Sequence, residues 1–200
     1  MNTERTKIFF NVRFTEPTKD AKLVSIGLLS EGTEYFYAEF NDFDKELFKD
    51  DEYVKKLFLD KLTLNAEDNL LINKSYAGFD KTEVIKDYLK KWLSQFDKIE
   101  LYFDFRNFIS FYNSCDPLSL IKKIFEKDGA ELHNNILFPP NDIRVVFTTT
   151  GIDSNIDLKN FLNYSEDIDN VENIISSNVS NTINDAYVIR SCYNKLTKIN

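Results

Sequence analysis

Cysteine, histidine and positive charge are all scarce in this chain. Cys115 and Cys192 are the only cysteines, and their spacing matches no metal-ligand pattern. They read as free, buried thiols of a reducing cytoplasm. His133 is the one histidine, which argues against a histidine-rich zinc site. It falls between an expected helix and an expected strand, with no partner pattern around it, and reads as a surface or loop residue. No run of about 18 apolar residues occurs, so no transmembrane helix and no membrane partner are expected. The opening Met-Asn-Thr-Glu-Arg-Thr-Lys lacks the apolar core of a signal peptide, so the expected location is the cytoplasm. No internal repeat is visible. The 25 Lys and Arg are outnumbered by 33 Asp and Glu, giving a net charge of −8. That balance argues against a strong non-specific nucleic-acid binder. It leaves room for a local basic patch and for a nuclease whose metal ions supply the positive charge.

What is present is core. The 200 residues are 42% hydrophobic with 18 Phe and 10 Tyr, enough to fill one domain over residues 1–200. The chain is organised around residues 7–14, K-I-F-F-N-V-R-F, which read as a central strand buried on both faces. Asn11 and Arg13 interrupt it two positions apart, so they point to one side of the strand. A polar pair there needs partners or a function. Residues 22–29 and 34–40 follow as a second and third strand, with Ser30-Glu31-Gly32-Thr33 as the turn of a meander.

Residues 41–52 read as a charged segment from loop to helix, with Asp44 as a cap; residues 62–71 are ambiguous. Ile85, Tyr88, Leu89 and Trp92 make a helical stripe, capped by Asp80 or Thr82. Residues 98–104 alternate as a fourth strand, and the crossover predicts a parallel pair. Residues 105–114 predict a helix. A second is expected from an Asp116 cap and Pro117 to about residue 127, ended by Asp128-Gly129. Pro139-Pro140 leads into 143–148, read either as a short fifth strand or as the start of an apolar helix, and Gly151-Ile152-Asp153 reads as a turn. Residues 164–183 are polar, with Glu166, Asp167, Asp169 and Glu172, and read as a mobile loop whose acidic groups are solvated. Ala186, Ile189, Tyr193 and Leu196 place a last helix over 184–198, packed on the sheet.

The run K-I-F-F-N-V-R-F-T, then L-V-S-I-G-L-L-S-E-G, then Y-F-Y-A-E-F resembles the start of the small bacterial 3′-5′ exoribonucleases of the DEDDh group. The likeness continues through K-K-W-L-S-Q-F-D at 90–97, through Pro140, Asp142, Ile143 and F-x-x-x-G-I-D at 147–153, and through D-A-x-V-I-x-x-C-Y-x-x-L at 185–196. It covers nearly the whole chain. It implies an α/β fold with a ribonuclease H-like mixed sheet, an antiparallel meander followed by parallel strands, flanked by helices.

The resemblance carries the family's catalytic positions over one at a time. The first-strand D-x-E falls on Asn11 and Arg13. The second-motif Asp falls on Ile109, while Asp104 matches the Asp that ends the strand before it. The family His falls on Ser180 and the last Asp on Asp185. Only the Asp185 position keeps its carboxylate. The family reaction uses two Mg²⁺ or Mn²⁺ ions held by carboxylates, with the His as general base. Asn11 offers one neutral oxygen, Arg13 none, Ile109 none, and Ser180 is a poor base. No metal cofactor is therefore expected, with Asp185 and Asp104 as residual candidates.

Arg13 then either pairs internally with Asp185 or Asp104, or binds a phosphate. Asp185 reads equally as a helix N-terminal carboxylate favoured by the dipole. Three functions are carried forward. The first is a catalytically degenerate exonuclease-like protein that acts by binding a protein partner or itself. The second is a non-cleaving binder of single-stranded RNA or a nucleotide, through Arg13, Arg106 and Arg144. The third is an active metal-dependent exoribonuclease whose site is rebuilt from Asp104, Asp185 and Glu100.

Overall fold

The strand β1 (Arg5–Phe14) runs between two neighbours with opposite relationships to it: β2 (Leu23–Ser30) pairs with it antiparallel, and β6 (Lys98–Phe103) pairs with it parallel. A computed structural model describes residues 5–15, 21–43, 70–72, 74–106, 117–127, 130–131, 134–162 and 181–199. In it β3 (Tyr35–Phe40), β4 (Leu70–Ile72), β5 (Ser75–Asp80) and β9 (Ile136–Asp142) complete a seven-stranded sheet of order β4-β5-β3-β2-β1-β6-β9. β2 and β3 are antiparallel, while β6 and β9, like β3 and β5, are parallel. The antiparallel meander followed by parallel strands, with helices on its faces, is a ribonuclease H-like mixed sheet.

Alternation along β1 sends its two faces into different cores. Ile8, Phe10, Val12 and Phe14 join Ile26, Leu28, Phe36 and Leu101 on one face. There α1 (Thr82–Leu93) buries Ile85, Leu89, Trp92 and Leu93, and α2 (Pro117–Ile124) adds Ile121 and Ile124. Phe9 faces the other way, towards α3 (Ile143–Thr149), α4 (Leu158–Leu162) and α5 (Asn181–Thr197). Fully burying one such aromatic or aliphatic side chain contributes about 1.5–3 kcal/mol. α5 sits hard against the sheet because β2 carries a glycine at the crossing. A Cβ on Gly27 would lie 2.7 Å from the backbone N and Cα of Ile183. The contact seats the first turn of α5 over the middle of β2, and its stripe of Ala186, Ile189 and Leu196 is buried as the spacing predicts. Among the described residues no helix is long and apolar enough to cross a membrane.

Several elements differ from the sequence reading. β5, S-Y-A-G-F-D, has no counterpart in it; the stretch is short and broken by Gly78, so its alternation is weak. The helix α1 has Lys81 at its cap with no side-chain bond. Its first turn is held instead by Asp42, which accepts from Thr82 N at 3.1 Å and Thr82 Oγ1 at 2.9 Å, so neither Asp80 nor Thr82 caps it. α2 stops at Ile124 rather than near 127, and β7 (Glu126–Lys127) pairs antiparallel with β8 (Ala130–Glu131), while the expected stop at Asp128-Gly129 lies outside the described residues. That dipeptide favours a two-residue hairpin as much as a helix end. Of the two readings of 143–148 the helix holds, as α3, while the strand is β9, which contains Pro139 and Pro140 instead of following them. β9 tolerates the prolines because it is an edge strand. Gly151 forms the expected turn at φ 75°. α5 begins at Asn181, three residues earlier than expected. The expected cap at Asp44, most of the helix over 105–114, the Asp116 cap, Cys115, His133 and most of the 164–183 loop lie outside the described residues.

Candidate functional site

The strands β1, β6 and β9 are mutually parallel, so their C-terminal ends share one edge of the sheet. In open α/β sheets this is the edge where ligands bind. Arg13 stands near the end of β1, Asp104 directly after β6, and Asp142 at the end of β9. Asp185 reaches the same edge from α5.

Three of the sequence-selected residues meet there. Arg13 Nη2 and Asn11 Nδ2 both donate to Asp185 Oδ2, each at 2.7 Å. The amide oxygen of Asn11 turns back to accept from Val12 N at 2.8 Å. The Arg13 and Asp185 side chains are only 18% and 21% exposed, so the pair is part-buried and weakly screened. Burial pushes the Asp185 carboxyl above its ordinary value, against the pull of Arg13, Lys159 and the Asn11 amide. Asp185 does not occupy a helix N-terminus. The first turn of α5 contains no acidic residue, and the dipole fades beyond it. The carboxylate is held by Arg13 and Asn11, not by the dipole.

A second cluster lies between β6, β9 and α3. Arg144 forks onto Asp104, Nε to Oδ1 at 2.9 Å and Nη2 to Oδ2 at 2.8 Å. Its Nη1 donates to the carbonyls of Ser154 at 2.9 Å and Ile156 at 2.6 Å, tying down the turn after α3. Burial opposes the Arg144 charge, but the bond and the charge of Asp104 outweigh it and raise the guanidinium pKa. Asp142 caps α3, its Oδ1 accepting from Arg144 N at 3.0 Å and Phe105 N at 3.2 Å. Burial pushes its carboxyl up, although those two amides pull it down. The Arg106 guanidinium donates to the Asn155 carbonyl.

The three arginines selected for nucleic acid, Arg13, Arg106 and Arg144, are thus each engaged by an acceptor of the chain itself. Asp104 is the partner of Arg144 and not of Arg13. The set Asp104, Asp185 and Glu100 is not brought together: Glu100 lies four residues before Asp104, about 13 Å along a strand, and binds Arg5 at 2.7 Å. Ile109 and Ser180 lie outside the described residues.

A buried polar row escaped the sequence reading. Arg13, Ser25 and Glu39 are register partners across β1, β2 and β3 and so face the same side. Ser25 and Glu39 are buried, Ser25 Oγ lies 2.5 Å from Thr182 Oγ1, and the Tyr37 hydroxyl donates to Glu39. The signal was the meander itself: pairing β2 with β3 about the turn at 31–34 sets Ser25 opposite Glu39.

No protein-family model matches this chain, and a search of characterised proteins finds no match to it.

Proposed function

We propose that this chain is a non-cleaving, exonuclease-like protein that acts by binding a protein partner. The observation that carries the reading is the shared bond of Arg13 and Asn11 to Asp185 Oδ2. Two-metal phosphodiester hydrolysis needs clustered carboxylate oxygens facing the ions. Here the first two positions supply an amide donor and a permanent cation, and both spend themselves on Asp185, the last. That donor set does not fit a pair of dications. Protein is favoured over nucleic acid because the arginines of this edge are satisfied internally and the net charge is −8.

One observation favours a second reading, a non-cleaving binder of single-stranded RNA or a nucleotide. On the opposite face of the same edge, Lys22, Lys86 and Lys123 line a cavity of about 440 Å³. Asp42, Glu83 and Glu126 share its wall and offset that charge.

The test is incubation with 5′-labelled single-stranded RNA and Mg²⁺ or Mn²⁺, read for shortening and for retention, beside sizing and pull-down of the intact chain. Intact, unretained RNA together with a captured protein or a dimer is the expected result. Metal-dependent shortening overturns the reading; salt-sensitive retention of intact RNA transfers it to the second. A lone monomer that captures nothing counts against protein binding.

A further inference from the structure

A groove of about 480 Å³ opens where β6, β9 and α3 meet, beside the Arg144–Asp104 pair. Pockets of roughly 300–1,000 Å³ are the ordinary size for bound ligands. Tyr102, Phe105, Pro140, Leu118 and Val145 give it an apolar lining. Val145 is 59% exposed and Leu118 37%, among the most exposed large apolar side chains of the described residues.

Beside the Tyr102 hydroxyl, which donates to Glu100 at 3.5 Å, the polar side chains of the wall are Asn141 and Asp142. The Asn141 amide nitrogen donates to the Leu101 carbonyl at 3.3 Å. Asp142 Oδ1 is taken by the Phe105 and Arg144 amides, while among the described residues nothing donates to its Oδ2. Asn141 keeps its second N–H and its amide oxygen for a visitor and Asp142 keeps Oδ2, so the charged atom these two side chains leave open is a carboxylate oxygen. β9 is an edge strand, but Pro139 and Pro140 have no N–H to offer, so an added strand would find no continuous ladder. Side chains entering the groove suit it better than backbone pairing along its rim. A chain of net charge −8 also attracts basic partners.

We infer that this groove docks a peptide segment of a protein partner in which an apolar side chain stands beside a lysine or arginine, the apolar group filling the pocket and the cation reaching Asp142 Oδ2. The inference rests on the protein-binding reading and names the chemistry of the partner.

The experiment titrates the full chain into fluorescent peptides carrying Leu or Phe next to Lys or Arg, and into the same peptides with Glu in place of the basic residue. Asp142→Asn keeps an acceptor for the Phe105 and Arg144 amides and removes the charge; Val145→Lys sets a cation at the mouth. Binding of the basic peptides is expected, about tenfold weaker for the Glu versions and for each variant, as loss of one charge-assisted contact implies. Far-UV circular dichroism and thermal melts show whether each variant is folded. No peptide binding, equal binding of acidic and basic peptides, or unchanged affinity in folded Asp142→Asn overturns the inference. So does a dimer that Val145→Lys dissolves, which would make a second copy the occupant, and so does displacement of bound peptide by labelled RNA. The RNA-shortening assay separates the two levels. Intact RNA with no peptide binding removes only the groove inference, whereas shortened RNA removes the functional reading whatever the peptides do.

Discussion

Arg13 and Asp185 are 172 residues apart in sequence and 2.7 Å apart in space, joined by a charge-assisted hydrogen bond where the first strand meets the last helix. Asn11 donates to the same carboxylate oxygen, so one atom of Asp185 organises both polar residues in the second half of β1. If this network replaces a cation site, reversing it should recreate one.

Asn11→Asp with Arg13→Glu converts a neutral donor and a cation into two carboxylates beside a third. Like charges at that distance repel in a part-buried site. The double variant is expected to lose about 2 kcal/mol or more in metal-free buffer. Adding Mn²⁺ should recover stability, because an ion that binds only the folded state stabilises it. Urea melts with and without the ion read both effects; a variant as stable as the parent without metal would contradict the arrangement.

Gly27→Ala is expected to destabilise strongly. Its Cβ would stand 2.7 Å from the Ile183 N and Cα, which are backbone atoms that cannot rotate away. Overpacking of this kind costs about 1–3 kcal/mol, and displacement of α5 would also strain the Arg13–Asp185 contact. A chemical-denaturation midpoint unchanged by the substitution would refute the close approach.

Arg144→Lys should behave as a damaging change despite its kept charge. The side chains of Arg144 and Asp104 are 11% and 2% exposed. A lysine cannot fork onto the carboxylate while also reaching two carbonyls. Removing the cation altogether, Arg144→Met, leaves Asp104 buried without its ion partner and with the Arg106 amide as donor, at about 3 kcal/mol. Adding Asp104→Leu should regain part of that loss, measured as a double-mutant cycle in urea.

The acid limb of stability should depend on Glu34. The Ser30 hydroxyl donates to it at 2.6 Å and holds its carboxyl below the ordinary value. A lowered folded pKa gives stability that is present above the unfolded value of about 4.5 and lost as pH falls through the folded one. Ser30→Ala is therefore expected to flatten the loss on acidification. Asp142 has the opposite sign: its raised folded pKa means that ionisation costs stability as pH rises from the unfolded value of 3.8 through the folded one. Stability curves of Ser30→Ala and Asp142→Asn between pH 3 and 6 should diverge from the parent in opposite directions.

Cys192 is expected to resist thiol reagents in the folded chain. It is fully buried, and burial pushes its thiol up to about 12. Thiolate is the reactive form, so labelling at Cys192 at pH 8 should wait for unfolding and follow added urea. Rapid labelling of Cys192 in native buffer, located by peptide mapping, would contradict that burial.

The sequence by itself determined the meander, the α1 stripe, the α5 stripe and the sidedness of Asn11 and Arg13. Each is a local period of two or 3.6 residues, written in consecutive side chains. It also showed that Arg13 needs an anionic partner, with a carboxylate of the chain and a bound phosphate both left open. What it left to the tertiary structure was every pairing across distance. The choice of Asp185 over Asp104 for Arg13 depends on Gly27 letting α5 lie against β2. The engagement of Arg144 depends on β9 pairing parallel to β6, which brings Asp104 beside the start of α3. The prolines of β9 hid that strand, because local propensity rates Pro139 and Pro140 against a strand and only an edge position makes them acceptable. Ser25 became the neighbour of Arg13, and Glu39 the neighbour of Ser25, only once register was set. Periodicity says which face a residue takes; which atoms it meets there is decided by strand order, register and the close approach of a helix, and these are properties of the packed whole.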